Sequence, residues 1–435
     1  MATELTRRGF LGLSAAIAST AALAACAKPS PAPGGSPSAT LTGAPSPTLS
    51  PLPSGPLTVW NASSQLNDAI KNVYAPARPD VELSLVELGM ADLQERLLVS
   101  LATSTDLPGV VSISSRVADQ YFATGAFLPL GGALEPFAGG FAESAYITYE
   151  GENYGYALND GRMGMWVNAA YLDENGIDAA ALVTWEEWAE AGRKLKADTG
   201  STLFLQPTGN NAADFFASYL NSRGTGWWDE SGKVGVDEDV AIETLDFMAG
   251  LVRDGSAYVG FWTDQAYWEI VRQRQVAGVQ TNFAIGGRNL PTNVPEQEGQ
   301  WRMAGWPRWR SSDAPGTGTY GSTFFGVLRG DNDEAAADFA TYWLTEDGLP
   351  EIVKAFGTVP YAPVAETAEG QATLPFFGGQ KVIEDLVSLP YPTANYYRWS
   401  KVQEITGFQI DQAVQGAISA EEAIRTAVAQ LAELA

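Results

Sequence analysis

Aromatic and planar polar side chains are concentrated in the irregular stretches of this 435-residue chain. The stretches that combine aromatic residues with glycine or polar residues are 146–165, 227–228, 258–268, 283–309, 320–325 and 391–399. Loops on a rigid scaffold commonly carry binding residues, and ligand clefts are walled by aromatic side chains with a few polar groups that fix orientation. The pattern therefore predicts a cleft whose wall is built from these stretches.

The chain contains no histidine and a single cysteine, Cys26. The absence of histidine excludes Ser-His-Asp and Cys-His catalysis and every histidine-ligated metal site. An enzyme would be left mainly with carboxylate chemistry, for which the sequence offers 51 Asp and Glu residues. No phosphate-binding glycine motif follows a predicted strand. We therefore predict no metal and no cofactor.

The first 25 residues have the features of an export signal. Arg7 and Arg8 precede an apolar, alanine-rich run that ends in small residues, and a twin-arginine pair is typical of a Tat signal. The apolar run is shorter than the roughly 20 residues that a membrane-spanning helix needs. Leu23-Ala24-Ala25-Cys26 resembles the lipobox of bacterial lipoproteins, which implies cleavage before Cys26 and attachment of lipid to its sulfur. The lipid expected on the sulfur is a diacylglycerol, and because one chain alone anchors only marginally, an acyl chain on the free amine is expected as a second anchoring signal.

Residues 26–56 are predicted to form a disordered tether behind the lipidated cysteine. Proline and small residues dominate this segment, and Lys28 is its only charge. Such a composition cannot bury enough apolar surface to fold, and its prolines favour extended backbone. We expect an exported protein held at the outer face of the cytoplasmic membrane. The formal net charge of −25 disfavours nucleic acid and anionic lipid surfaces as partners and favours solubility outside the cell.

The globular part begins with alternating strand and helix patterns. These are an apolar, β-prone run at 57–60, a helical stretch near 66–74, alternation at 81–85, leucines every four residues at 93–101, and a buried-strand pattern at 109–113. This order predicts βαβ units with a parallel sheet flanked by helices. Farther along, Thr184 and Glu187 form a capping box ahead of Trp185, which we predict to be a core residue. Asp237 and Ser419 mark two further helix starts.

From Leu57 to its end, the chain resembles the family 1 extracellular solute-binding proteins of ABC importers, the group that includes maltose-binding protein. The segments that carry this resemblance, in chain order, are Leu57-Thr58-Val59-Trp60, Leu101-Ala102-Thr103 through Val110-Val111, Gly125-Ala126-Phe127-Leu128-Pro129-Leu130, Tyr154-Gly155-Tyr156, Trp166-Val167-Asn168, Thr184-Trp185-Glu186-Glu187-Trp188, Gly326-Val327-Leu328, Leu344-Thr345-Glu346-Asp347-Gly348 and Val359-Pro360. The resemblance implies an α/β fold of two lobes, each a sheet flanked by helices, joined by crossing hinge segments.

Matching segments place the crossings near 159–162, 304–308 and 344–348. The glycines in these segments allow dihedral changes that neighbouring prolines limit. The predicted organisation is a signal peptide at 1–25, the lipidated tether at 26–56, the first lobe at 57–160 and 306–345, and the second lobe at 161–305 and 346–435.

For a family of this kind the resemblance implies a carbohydrate ligand in the cleft between the lobes. A sugar has apolar faces of C–H groups and a rim of hydroxyls, so its site needs aromatic plates and planar polar side chains. The candidate aromatic plates are Trp60, Trp262, Trp268, Phe283, Tyr320, Tyr397 and Trp399. The candidate hydroxyl-binding residues are Asn61, Ser64, Gln65, Ser115, Arg116, Asp160, Arg162 and Asn282. The sequence leaves open whether Trp60 is a core residue and whether Arg116 and Asp160 pair with opposite charges.

The resemblance implies a binding protein and not an enzyme. Ligand contacts made by both lobes shift the equilibrium toward the closed form, and a monomer then delivers the sugar to the permease of an ABC importer. Three alternatives remain open. The same fold could bind a polyamine through Asp160 and Asp264. A lipid-anchored glycoside hydrolase could use two carboxyl groups among Asp160, Asp264 and Glu269. A structural lipoprotein would need no cleft.

Overall fold

The computed structural model describes residues 52–229, 231–312, 316–392 and 394–434. The predicted signal segment, the lipidation site Cys26 and most of the predicted tether lie outside the described residues.

The strands are β1 (Gly55–Asn61), β2 (Val81–Glu87), β3 (Val110–Ser114), β4 (Tyr146–Tyr149), β5 (Glu152–Tyr156), β6 (Met163–Asn168), β7 (Phe204–Gln206), β8 (Ala257–Val259), β9 (Gly278–Asn282), β10 (Trp301–Ala304) and β11 (Thr323–Val327).

Helices make up most of the remaining ordered elements. They are α1 (Ser64–Ala69), α2 (Ala75–Ala77), α3 (Met90–Thr103), α4 (Ala118–Phe122), α5 (Gly131–Leu134), α6 (Ala169–Glu174), α7 (Trp185–Thr199), α8 (Asn210–Asn221), α9 (Glu238–Arg253), α10 (Gln265–Arg272), α11 (Leu290–Asn293), α12 (Asp333–Tyr342), α13 (Gly348–Phe356), α14 (Val382–Ser388), α15 (Trp399–Val414) and α16 (Ala420–Ala432). Two π-helical stretches, Ile70–Tyr74 and Ala284–Asn289, adjoin α1 and α11. In the described ranges, no helix is long and apolar enough to cross a membrane.

The first sheet has four strands in the order β11-β3-β1-β2. β1 is parallel to both β2 and β3, whereas β11 runs antiparallel to β3. Parallel neighbours need a crossover connection, which α1, α2 and α3 supply. The predicted strand-helix alternation over 57–113 is therefore confirmed.

Both faces of the first sheet are covered, as the side-chain alternation of β1 shows. Val59 and Trp60 are both buried, and because successive strand residues point to opposite faces they belong to separate apolar clusters. The Trp60 cluster includes Leu93 and Leu97 of α3. We call the body built on this sheet the first lobe.

The second sheet has three strands in the order β10-β6-β9, with both pairs antiparallel. The parallel pair β7–β8 lies beside it, and Gln280 of β9 joins the two by accepting from the Leu205 amide at 3.1 Å and donating to the Leu205 carbonyl at 2.7 Å. Helix α7 starts with the predicted capping box, and Trp185 is fully buried, so both predictions are confirmed. We call the body built on this sheet the second lobe.

Two chain segments that connect the lobes lie side by side. Residues 158–163, the first crossing segment, lead from the first lobe into β6, and residues 318–323, the second crossing segment, lead back into β11. Backbone hydrogen bonds join them at three levels: Leu158 N to Thr323 O at 2.7 Å, Tyr320 N to Gly161 O at 2.9 Å, and Met163 N to Gly318 O at 2.8 Å. A Cβ on Gly161 would lie 2.4 Å from the carbonyl oxygen of Gly321, so this close pairing requires glycine.

The three predicted crossings lie in different places. Residues 159–162 lie within the first crossing segment. Residues 304–308 stay with the second lobe, because the Trp306 ring packs 4.8 Å from Trp185 and the Arg308 amide donates to the Val183 carbonyl at 3.1 Å. Residues 344–348 lead into α13, which packs on α1 of the first lobe. The predicted boundaries at 305 and 345 thus lie away from the paired segments 158–163 and 318–323.

Candidate functional site

A cavity of about 670 Å³ lies between the two lobes, beside the paired crossing segments. Its first-lobe wall is formed by residues of 115–122 and 144–150. Its second-lobe wall is formed by Asp229, Ser231, Gly232 and residues of 391–397. Thr319, Gly321 and Ser322 of the second crossing segment complete it. The cavity is thus lined by both lobes and by the connection between them.

Tyrosine side chains supply most of the large rings that line the cavity. We define Tyr391, Tyr396 and Tyr397 as the cleft tyrosines; all three are half-buried and belong to the second-lobe wall. The ring of Tyr396 meets Trp399 edge-on at 5.3 Å, and the guanidinium of Arg162 lies 5.5 Å from the ring of Tyr391. Burial raises the pKa of Tyr396 to about 12, so its phenol stays protonated at neutral pH and keeps a hydroxyl donor.

A charged cluster lies next to these tyrosines. Arg116, which follows β3 in the first lobe, forms an ion pair with Asp214 of α8 in the second lobe. The same carboxylate accepts from Trp399 Nε1 at 2.8 Å and from Gln403 Nε2 at 2.9 Å. The Arg116 guanidinium also lies 4.7 Å from the ring centroid of Tyr320.

The pKa shifts of this cluster have a common physical origin. Burial raises the pKa of the Asp214 carboxyl, and the Arg116 charge and the donors Trp399 and Gln403 oppose that rise. Burial is the largest single influence and would lower the pKa of Arg116, but the charge and hydrogen bond of Asp214, together with Tyr320 and Tyr396, raise the pKa overall. We conclude that Arg116 stays charged and that its charge is neutralised inside the protein.

Three other acidic residues line the cavity, Asp119, Asp229 and the exposed Glu150, and the first two accept backbone hydrogen bonds. Asp119 Oδ2 accepts from the backbone amide of Arg398 at 2.7 Å. Asp229 Oδ1 accepts from the amides of Ser231 at 2.8 Å and Lys233 at 3.0 Å. The bonds from Lys233 and Ser231 lower the pKa of Asp229. Two of the acidic groups that could meet a cationic ligand are therefore already partnered.

Several predicted site residues meet at this cavity. Ser115 and Tyr397 line it. Arg116, Tyr320 and Trp399 form the adjoining cluster. Trp262 contacts the same cluster through the ring of Tyr320, with centroids 5.6 Å apart.

Other predicted residues lie elsewhere in the first lobe. Trp60 is a core residue, with its ring 4.1 Å beneath the guanidinium of Arg96. Asn61 is buried and donates to Asn67 Oδ1 at 2.8 Å. Ser64 and Gln65 hydrogen bond to each other at 3.3 Å on the exposed first turn of α1. These four residues do not line the cavity.

The remaining predicted residues lie behind the second-lobe wall or in the crossing. Asp160 and Arg162 form a buried ion pair within the first crossing segment. Trp268 donates to the Trp262 carbonyl at 2.8 Å. Phe283 follows β9, buried 5.9 Å from the ring of Trp166. Asn282 is buried at the end of β9.

Four residues on or beside the cavity are not among the predicted site residues: Asp214, Gln403, Tyr391 and Tyr396. The two tyrosines lie inside the aromatic stretch 391–399, so composition marked the segment without identifying the residues. Asp214 carried a signal of another kind, since it lies between apolar residues on both sides in a helix that is buried over most of its length. A carboxylate in such a run must find donors inside the protein. Gln403 had no distinguishing signal.

The described residues contain no group of three or more Asp, Glu, Cys or His side chains positioned to hold a metal ion. Two α/β lobes, paired connections and an interlobe cavity together define a two-lobed ligand-binding protein. The chain belongs to the bacterial extracellular solute-binding protein family, whose model matches residues 71–377.

Two relatives are consistent with this family assignment. The lactose-binding protein of Rhizobium radiobacter is 26% identical over 361 residues, which cover 79% of this chain and 84% of the relative. The arabinooligosaccharide-binding protein of Halalkalibacterium halodurans is 25% identical over 304 residues, so this chain spans 66% of that relative's length and the match covers 66% of this chain.

Solved structures match across nearly the whole globular part. The GacH receptor of Streptomyces glaucescens, solved without ligand and with acarbose, gives a TM-score of 0.72 at 17% identity, covering 88% of this chain and 98% of that chain. The binding protein of B. animalis subsp. lactis Bl-04 in complex with β-1,6-galactobiose gives 0.71 at 18% identity, covering 88% and 97%. These matches establish the two-lobed fold.

Proposed function

We propose that this protein captures an uncharged oligosaccharide in the interlobe cavity and delivers it, chemically unchanged, to the permease of an ABC importer. The observation that carries the proposal is the lining of that cavity: tyrosine rings beside hydroxyl and amide groups. The neutral polar groups include Ser115, Thr319, Ser322 and Asn395. Rings match the C–H faces of a sugar, and hydroxyls and amides match its hydroxyl rim.

The charges around the cavity favour a neutral ligand over a charged one. Arg116 is neutralised by Asp214, so it offers no free cation to an acidic sugar. Asp119 and Asp229 already accept backbone hydrogen bonds, which leaves Glu150 as the one acidic residue of the lining without such a bond among the described contacts, whereas a polyamine needs at least two carboxylates. The relatives named above carry lactose or arabinooligosaccharide in their names, and the matched structures hold acarbose or a galactobiose.

Export and anchoring are supported by the sequence, and the lobe boundaries are supported by the paired crossing segments. The protein is exported behind the signal at 1–25 and held at the membrane by lipid on Cys26, as a monomer. The lobe boundaries lie at the paired segments 158–163 and 318–323, with a further return to the second lobe after α13. Ligand closes the lobes only to the extent that it binds the closed form more tightly than the open form.

A thermal-shift screen tests the ligand class. The full chain with Cys26→Ser is heated with lactose, arabinooligosaccharides, acarbose, β-1,6-galactobiose, an oligogalacturonate and putrescine. A ligand that binds only the folded state stabilises it by about 2.7 kcal/mol at one hundred times its Kd. We expect at least one neutral oligosaccharide to raise the melting temperature while the oligogalacturonate and putrescine do not.

Chromatography of the ligand after incubation separates binding from hydrolysis. We expect the bound sugar to be recovered intact. If only putrescine raised the melting temperature, the interlobe cavity would still be the binding site but its ligand would be a polyamine. If the sugar were hydrolysed, the protein would be an enzyme and the transport proposal would be wrong.

A further inference from the structure

The ion pair between Arg116 and Asp214 is the buried charge contact that spans the two lobes at the cavity. Arg116 belongs to the turn after β3, on the first sheet, and Asp214 belongs to α8, which packs in the second lobe. The side chains of Arg116 and Asp214 are 24% and 2% exposed. The pair is therefore largely withdrawn from water and can be separated only if the lobes move apart or the side chains change rotamer.

Both oxygens of Asp214 accept hydrogen bonds. One oxygen accepts from Arg116, and the other accepts from Trp399 at 2.8 Å and Gln403 at 2.9 Å, both on α15. A buried ion pair contributes only when additional hydrogen bonds satisfy its remaining lone pairs, and losing one partner leaves an uncompensated buried charge. Both α15 donors lie in the same lobe as Asp214, so they orient the carboxylate from the second-lobe side, independently of the contact with Arg116.

The first-lobe half is also held in place. Ser115 N donates to Ser322 O at 2.8 Å, and Ser322 N donates to Ser115 Oγ at 2.9 Å, which fastens the turn carrying Arg116 to the second crossing segment. Gly321 has a φ of +80°, and a Cβ there would lie 2.8 Å from Arg116 Cγ. The absence of a side chain at this position thus leaves the space through which Arg116 reaches across.

We propose that Arg116 and Asp214 form an interlobe latch, an ion pair that completes the closed form and sets the open-closed equilibrium of the ligand-free protein. Asp214 acts as a positioning residue, which aims Arg116 from one side and fixes Trp399 and Gln403 on the other. The inference rests on the proposed function, because a latch has a role only in a protein that opens and closes on a ligand.

A matched control is available in the same chain. Arg78 and Asp338 form a second buried pair, with side chains 12% and 4% exposed, but both residues belong to the first lobe. Asp338 also accepts from the Tyr74 hydroxyl at 3.0 Å. Breaking this pair removes a similar number of buried polar contacts without touching the interface between the lobes.

The latch is tested in the absence of any ligand, so the result does not depend on which sugar binds. Nitroxide labels are placed on Val99→Cys of α3 and Phe408→Cys of α15 in the full chain with Cys26→Ser; these sites are 59% and 60% exposed and lie on different lobes. Double electron-electron resonance then gives the distribution of interlobe distances. We expect Asp214→Asn to lose the short-distance population and move the distribution to longer distances.

Arg116→Gln keeps the test decisive if Asp214→Asn does not fold, because Arg116 is the more exposed partner. It should produce the same shift, and the double variant should add nothing further, since one contact is broken in each case. Asp338→Asn should lower the melting temperature and leave the distances unchanged. Unchanged distances in both latch variants, or an equal shift in Asp338→Asn, would overturn the latch and leave the proposed sugar binding standing.

Discussion

The second lobe contains two groups of aromatic side chains that resemble each other in composition and differ in surroundings. The tryptophan cluster consists of Trp185, Tyr219, Trp306 and Trp309, all buried, with Trp185 centred 4.6 to 6.1 Å from the other three rings. The cleft tyrosines are half-buried and border the cavity. Rings enclosed by other rings stabilise the fold, whereas rings that border a cavity and the opposite lobe are available to a ligand. Aromatic content alone therefore does not distinguish the two roles.

The largest expected effect breaks the enclosed group. Trp185→Ala should lower the free energy of unfolding by about 3–5 kcal/mol, because the fully buried ring leaves a cavity that its neighbours cannot fill. Urea unfolding followed by tryptophan fluorescence or circular dichroism gives the value. Trp185→Phe is the control, since Trp185 Nε1 has no hydrogen-bond partner among the described residues and only volume is lost. A loss below about 1 kcal/mol in the alanine variant would contradict the enclosed role.

The second effect acts on the other group and should appear in affinity, not in stability. Tyr396→Ala should weaken binding of the oligosaccharide found in the thermal-shift screen by about 10-fold to 100-fold, or about 1.4–2.8 kcal/mol, because the ring loses its contact with the sugar face. Isothermal titration calorimetry measures it. Tyr396→Phe should retain most of the affinity, since the ring remains. If the alanine variant bound as tightly as the unmodified protein, Tyr396 would belong with the enclosed rings.

The smallest effect concerns the start of the helix that carries Trp185. Glu187 Oε2 accepts from the amides of Val183 and Thr184, both at 2.9 Å, and these bonds lower the pKa of Glu187 below its ordinary value of 4.5. A lowered pKa in the folded state stabilises the fold above the unfolded pKa and loses that contribution as the pH falls through the folded pKa.

Glu187→Gln should therefore melt below the unmodified protein at pH 7, and the gap should narrow at pH values under 4.5. Differential scanning calorimetry at pH 7 and at a pH under 4.5 measures the melting temperatures of the variant and the unmodified protein. Glu190→Gln removes the same charge from the same helix and serves as the control. A gap that stayed constant with pH would assign the effect to packing instead of to the carboxylate.

Local features of the fold could be predicted from the sequence. The capping box at Thr184 and the N-caps at Asp237 and Ser419 all have the predicted side-chain to backbone bonds, because each depends on residues three positions apart. The alternation at 81–85 likewise predicted β2. What could not be predicted is the pairing of distant segments, including the antiparallel order of the second sheet.

The segment 304–308 shows why glycine and proline alone do not define a connection between the lobes. Gly305 and Pro307 suit a connection, but Trp306 lies between them, and burial of its ring against Trp185 keeps the segment in the second lobe. The crossing instead uses 318–323, where backbone pairing with 158–163 replaces any side-chain signal.

The candidate site was predicted in part, for a related reason. Loop composition predicts that 391–399 belongs to the wall of the site, and Tyr397 and Trp399 are the predicted site residues within it. Trp60 and Phe283 combine a strand end with an aromatic ring, as a cleft residue would, yet both are covered by other elements. Asp214 was missed because its role depends on a partner almost one hundred positions away.

The edge of the first sheet has a consequence for how the chain is assembled. β3 receives its antiparallel neighbour β11 only after the whole intervening stretch of the second lobe has been made, with Ser114 paired to Thr323. Contacts between residues so far apart in sequence slow folding, and an unpaired strand edge invites association with other chains. Chains cut short before residue 323 would therefore expose β3, and newly made protein would need shielding until synthesis passes that point.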